Sequence, residues 1–183
     1  MLKRISSVLE PKEARKLRAG DEVLISGEVF GARDSVHKRF MNLIDKGLPL
    51  PIDLSGRIIY YTGPSFAPED LKSQKPTALR SAGPTTSGRM DSAAAVLIRK
   101  TGLAATLGKG NRNKAVTEAM KECGALYFAA IGGCGALLAR SIVEAEIIAY
   151  EDLGTEALWR FVFNDFPCIV AIDAHGRSLY EER

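Results

Sequence analysis

The sequence predicts an α/β domain with a mixed sheet and flanking helices, and three observations support it. From Ser81 onward, short apolar runs alternate with helix-period segments. Both ends of the chain are richer in strands than the middle, which argues for a mixed sheet rather than a symmetric doubly wound one. The 183 residues, 46% of them hydrophobic, suffice for one core and one domain over 1–183.

The elements follow in order. Glu10 to Arg18 is a short charged helix candidate closed by Gly20, and Glu22 to Phe30 is a strand bracketed by Gly20 and Gly31. Asp34 is placed to cap a helix whose apolar face carries Phe40, Leu43 and Ile44 and which Gly47 ends. Arg57 to Thr62 is a buried strand stopped by Gly63 and Pro64, and Ser65 to Lys75 is a polar loop. Next come a glycine and threonine loop, an alanine-rich helix from about Gly88 to Lys100 and a strand at Ala104 to Leu107. A helix at Asn113 to Glu122, a strand at Leu126 to Ala130 and a loop with Gly132, Gly133 and Gly135 follow. Glu144 to Tyr150 and Cys168 to Asp173 are further strands, with His175 and Gly176 in a closing turn. Trp159, Phe161 and Phe163 alternate as core.

Charge and cysteine content narrow the function. Lys plus Arg number 25 against 22 Asp plus Glu, a balance that points to no nucleic acid and no polybasic membrane surface. Small anions remain open. Three cysteines and two histidines cannot supply four cysteine ligands to a cluster, and their spacing favours a reducing, cytoplasmic setting over a disulfide framework. No apolar stretch approaches the length of a membrane helix.

Three strand-to-helix junctions concentrate cations. Gly83-Pro84-Thr85-Thr86-Ser87-Gly88-Arg89-Met90-Asp91 joins hydroxyls and backbone N–H groups at a helix start, a receptor for carboxylate or phosphate, although its hydroxyls could equally serve as caps. It lacks the arrangement of a nucleotide P-loop. Gly108-Lys109-Gly110-Asn111-Arg112 puts two cations on a pliable backbone; alone it reads more readily as a solvated turn. Ala32-Arg33-Asp34-Ser35-Val36-His37-Lys38-Arg39 is a cationic helix start in which Asp34 could pair with Lys38. Repetition favours function: Arg39, Arg89 and Lys109 are expected to face one hollow and grip one multiply anionic molecule. Cys134, in the Gly132-Gly133-Cys134-Gly135 loop, and His175 read as packing and turn chemistry rather than catalysis.

Taken in register, ARDSVHKR, GPTTSGRMD and GKGNR resemble the C-terminal, or β-subunit, region of class I iron-sulfur hydro-lyases of the fumarase and L-tartrate dehydratase type. LRAGDEVLISGEVFGARD, GTEALWRF and DFPCIVAID extend the resemblance over nearly the whole chain. The resemblance implies a swivelling β/β/α domain and an active site completed by a separate domain holding a 4Fe-4S cluster. Because the chain begins just before the resembling region, it looks like the β subunit of a hetero-oligomer, with the cluster on a partner α subunit and no metal held here. The resemblance also implies that Thr85 is the catalytic base, that Lys109 acts beside it, and that Arg39, Thr86 and Arg89 bind a small dicarboxylate. The cluster iron would act as a Lewis acid on the departing hydroxyl. Fumarate hydration is the activity implied, with L-tartrate dehydration as the near alternative and a non-catalytic assembly or anion-binding subunit as the alternative from another class.

Overall fold

In the computed structural model, which describes residues 2–66 and 79–180, a seven-stranded mixed sheet forms the body of the protein. The strands in chain order are β1 (Lys3–Ser6), β2 (Glu22–Gly31), β3 (Ile58–Tyr60), β6 (Ala105–Gly108), β7 (Leu126–Ala129), β8 (Ile142–Ala149) and β9 (Leu158–Ile172). The strands β4 (Ser65–Phe66) and β5 (Leu79–Ser81) pair antiparallel apart from that sheet. β1, β2, β3, β6 and β7 pair in parallel, and β9 runs antiparallel to β2, β7 and β8. Because β9 pairs with both β2 and β7, the hydrogen-bonded path β2–β3–β6–β7–β9 returns to β2.

The mixed sheet with flanking helices agrees with the sequence reading. Alternation along the strands sends side chains to two apolar clusters. Ile58, Tyr60, Leu126 and Phe128 join Phe161, Phe163 and Phe166 on one face. Ile59, Tyr61 and Tyr127 join Val36, Phe40, Leu97 and Met120 on the other, beneath the helices. Those helices are α2 (Asp34–Asp45), α3 (Asp91–Thr101) and α4 (Lys114–Cys123); α1 (Pro11–Ala14) and α5 (Gly135–Ala139) are single turns elsewhere.

Several boundaries depart from expectation. The first helix ends at Ala14 instead of reaching Arg18; the Arg18 guanidinium folds back on the Arg15 carbonyl. Arg33, not Asp34, is the N-cap of α2 and makes no side-chain cap bond, while Asp34 lies in the first turn, where the helix dipole favours its charge. Its carboxylate pairs with Arg89 at 3.2 Å rather than with Lys38. A 3-10 turn at Ser87–Met90 precedes α3, and Thr86 at its N-cap uses no side chain to cap it. Asn113 does cap α4, accepting from the Val116 N–H at 3.0 Å. The final strand is far longer than Cys168 to Asp173, because β9 starts at Leu158 and takes in the aromatic run. Of the polar stretch 65–75, Ser65 and Phe66 form β4 and the rest lies outside the described residues.

Candidate active site

Two of the three cationic junctions are joined by backbone. The Lys109 N–H donates to the Thr85 carbonyl at 3.1 Å and the Ser87 N–H donates to the Lys109 carbonyl at 2.9 Å, so the Thr85–Ser87 segment forms a short parallel bridge with the end of β6. Gly108 makes this approach possible, since a side chain there would overlap the Ser87 hydroxyl and the Tyr61 ring. On its other side the threonine loop is anchored by the residues that follow β3, with the Thr85 N–H on the Tyr61 carbonyl at 2.7 Å and the Thr62 hydroxyl on the Gly83 carbonyl at 2.8 Å.

The chemistry-bearing side chains stand above this bridge. Arg89 donates through Nη2 to the Thr85 hydroxyl at 2.8 Å while also pairing with Asp34. Thr86 and Lys109 are exposed, and the Lys109 stem lies against Gly132, whose missing Cβ would sit 3.2 Å from Cδ and 3.4 Å from Nζ. Among the described residues the Lys109 ammonium has no carboxylate partner. Thr85, Thr86, Arg89 and Lys109 are thus gathered on one surface.

Beneath them lies a buried polar layer. The Arg112 guanidinium donates to Asp91 at 2.6 Å and Thr106 at 2.8 Å and lies near the rings of Tyr61 and Tyr127. The other oxygen of Asp91 accepts from the Asn113 N–H at 2.7 Å. Arg112, which reads as part of a solvated turn in the sequence, is therefore the tie between the second junction and the start of α3. His37 packs edge-on to Tyr61, with ring centroids 5.3 Å apart. Its Nδ1 lies 2.8 Å from the Arg33 carbonyl; since a carbonyl only accepts, the proton is assigned to Nδ1. Burial, seconded by the nearby Arg112 charge, pushes its pKa down to about 4.

The third junction behaves differently. Arg39 donates to Asp152 at 2.9 Å and lies over the Tyr150 ring, on the side of α2 that meets the 3-10 stretch Glu151–Glu156. The groove of about 360 Å³ between α2 and the start of α3 is lined by Asp34, His37, Lys38, Met41, Arg89 and Met90, and neither Arg39 nor Lys109 enters it. This groove therefore does not unite Arg39, Arg89 and Lys109, the three cations expected to face one hollow. Helical periodicity is the reason, because a residue one position beyond Lys38 points about 100° away. A different arginine of this junction, Arg33, turns toward Gly63 just past β3. Its Nη1 lies 2.5 Å from where a Cβ of Gly63 would stand, its Nη2 pairs with Glu156 at 3.3 Å, and its buried Nε has no partner among the described residues. Its place between strand end and helix start was the available signal.

No group of three or more His, Cys, Asp or Glu side chains among the described residues converges as a metal site. Cys123 is exposed, Cys134 half-buried and Cys168 buried, and among the described residues none of them belongs to such a group. No helix among the described residues is long and apolar enough to cross a membrane.

A family model described as Fumarase C-terminus matches residues 3–183. The chain is 38% identical over 177 residues to a Methanocaldococcus jannaschii protein named as an L(+)-tartrate dehydratase subunit beta, covering 95% of this chain and 89% of that one. It is 39% identical over 164 residues to fumarate hydratase 2 of Leishmania major and 38% identical over 159 residues to the anaerobic class I fumarate hydratase of Escherichia coli (strain K12). These matches cover 89% and 86% of this chain but only 28% of each relative.

Proposed function

The chain belongs to the fumarase C-terminus family, and from that premise we propose that residues 1–183 act as one β-subunit domain of an iron-sulfur hydro-lyase that interconverts malate and fumarate. The observation that carries this reading is the Thr85 hydroxyl, held by a guanidinium in a loop bridged to a lysine without a carboxylate partner. A threonine is a weak base in water, and a hydrogen bond from a cation favours its anionic oxygen. In the dehydration direction Thr85 Oγ1, as the alkoxide, takes the proton from the carbon beside a carboxylate and becomes a neutral hydroxyl, the electron pair forms the double bond, and hydroxide leaves the neighbouring carbon. The donor of a proton to that hydroxide belongs to the partner.

Arg89 offers a planar fork to one substrate carboxylate, Lys109 a compact charge beside the other, and Thr86 a hydroxyl donor. Arg39 is a further contact for the dicarboxylate, available when it leaves Asp152. The 4Fe-4S cluster is assigned to a partner α subunit, since the described residues of this chain do not fit it. Support for such a partner comes from exposed Ile131 and Leu137, on either side of the loop whose Gly132 meets Lys109. A cytoplasmic hetero-oligomer is the setting we infer.

Tartrate is the second substrate to test, favoured by the near-complete coverage of the subunit beta from Methanocaldococcus jannaschii. Activity of the assembled complex, assayed with malate, fumarate and tartrate, decides between them. Thr85→Ala and Lys109→Ala are expected to lower turnover by about a hundredfold or more with assembly intact. Unchanged turnover would reduce the chain to an assembly or anion-binding subunit.

A further inference from the structure

We propose that Tyr127 is a positioning residue which, with Ser87, clamps the threonine loop to the lysine loop from below. Tyr127 stands on β7 and is fully buried, as is Ser87. Its hydroxyl donates to the Gly110 carbonyl at 2.8 Å and lies 3.0 Å from the Ser87 hydroxyl. A phenol has one proton, and a carbonyl can only accept, so the Ser87 hydroxyl is the donor to Tyr127. The result is a directed chain, Ser87 to Tyr127 to Gly110, that links the two junctions beneath the bridge already described.

The bridge needs such support. Among the described residues, two backbone hydrogen bonds hold Lys109 between Thr85 and Ser87, and a short isolated ladder is marginal in water. Tyr127 adds a link that water does not compete for, and its neighbours leave the phenol little freedom. The Arg112 guanidinium lies 5.1 Å from the centre of its ring. Gly108, lacking a side chain, leaves the Ser87 hydroxyl room to reach the phenol. Tyr127 touches no substrate in this arrangement. It acts through the distance between the Thr85 hydroxyl and the Lys109 ammonium, which is set by the bridge.

The kinetic consequence rests on the roles proposed for Thr85 and Lys109, but the clamp itself does not, and two measurements separate them. Tyr127→Phe keeps the ring and removes the link. In the isolated chain, hydrogen exchange at the Ser87 and Lys109 amides is expected to quicken about tenfold or more, while that of Val116, held by the Asn113 cap, stays unchanged. In the assembled complex assayed with malate, kcat is expected to fall about tenfold to a hundredfold with KM within about twofold, because the substrate anchors remain while the reacting groups lose their geometry. Ser87→Ala is expected to reproduce both effects, and the double variant to be no worse than Tyr127→Phe, since the two hydroxyls act as one chain. Faster exchange with unchanged turnover would support the clamp and count against the roles given to Thr85 and Lys109. Unchanged exchange at Ser87 and Lys109, or additive losses in the double variant, would overturn the clamp.

Discussion

Arg112 and Arg39 both follow a helix-entry motif rich in cations, yet the fold uses them in opposite ways. Arg112 is 5% exposed, with its fork shared among Asp91, Thr106 and Tyr61. The Arg39 side chain is 37% exposed and meets one carboxylate whose own side chain is 64% exposed. A guanidinium whose three nitrogens each find a partner in the interior organises loops rather than meeting a ligand at the surface. One that pairs at the surface can exchange its carboxylate for another at little cost. The difference lies in what the neighbouring elements bring, not in the arginine or its local sequence.

The comparison can be broken most severely at Arg112. Replacement by Met strands the Asp91 carboxylate in the interior and is expected to cost about 3–5 kcal/mol, read as the loss in free energy of urea unfolding. Arg112→Lys is not expected to rescue it, because an ammonium cannot reproduce a fork that reaches three partners. A variant as stable as the parent would show that the buried layer does not hold the junctions.

A smaller effect is expected with pH, through His37. Its pKa falls from 6.5 in an unfolded chain to about 4 in the folded one. Between these values the unfolded chain binds more protons, so stability is fully present above about 6.5 and drains away as pH falls toward 4. The loss is about 3 kcal/mol. Unfolding free energies measured across this window in the parent and in His37→Gln test it: the substitution should flatten the slope, and an unaltered slope would assign it to carboxylates instead.

The smallest effect is expected at Arg39. Arg39→Ala should leave the unfolding midpoint nearly unchanged, since the Asp152 pair is exposed and screened by salt. Its consequence for KM with malate, measured in the assembled complex, sharpens the contrast: a rise shows that the side chain leaves Asp152 for substrate, and no change removes Arg39 from the dicarboxylate contacts.

Much of the site was legible as residue chemistry. Thr85, Thr86, Arg89 and Lys109 stand on one surface, and glycines and hydroxyls beside a strand end carry a local signal for that close backbone approach. Arg33 was hidden because flanking cations on one helix start look alike in sequence. Only the docking of α2 on the sheet shows which one turns toward Gly63. Asp34 was misassigned for the same reason: its partner, Arg89, lies 55 positions away in the chain.

The amino-acid sequence by itself determined the mixed sheet, the helices α2, α3 and α4 and the loops that carry the chemistry, but not β1 or α5, since the former rest on periodicity, turn residues and propensity over neighbouring positions. Tertiary structure alone decided that β9 pairs with both β2 and β7, that Arg112 is interior and Arg39 is not, and that Ser87 meets Tyr127. Those outcomes depend on which distant surfaces exclude water together, a property that no short window of sequence contains.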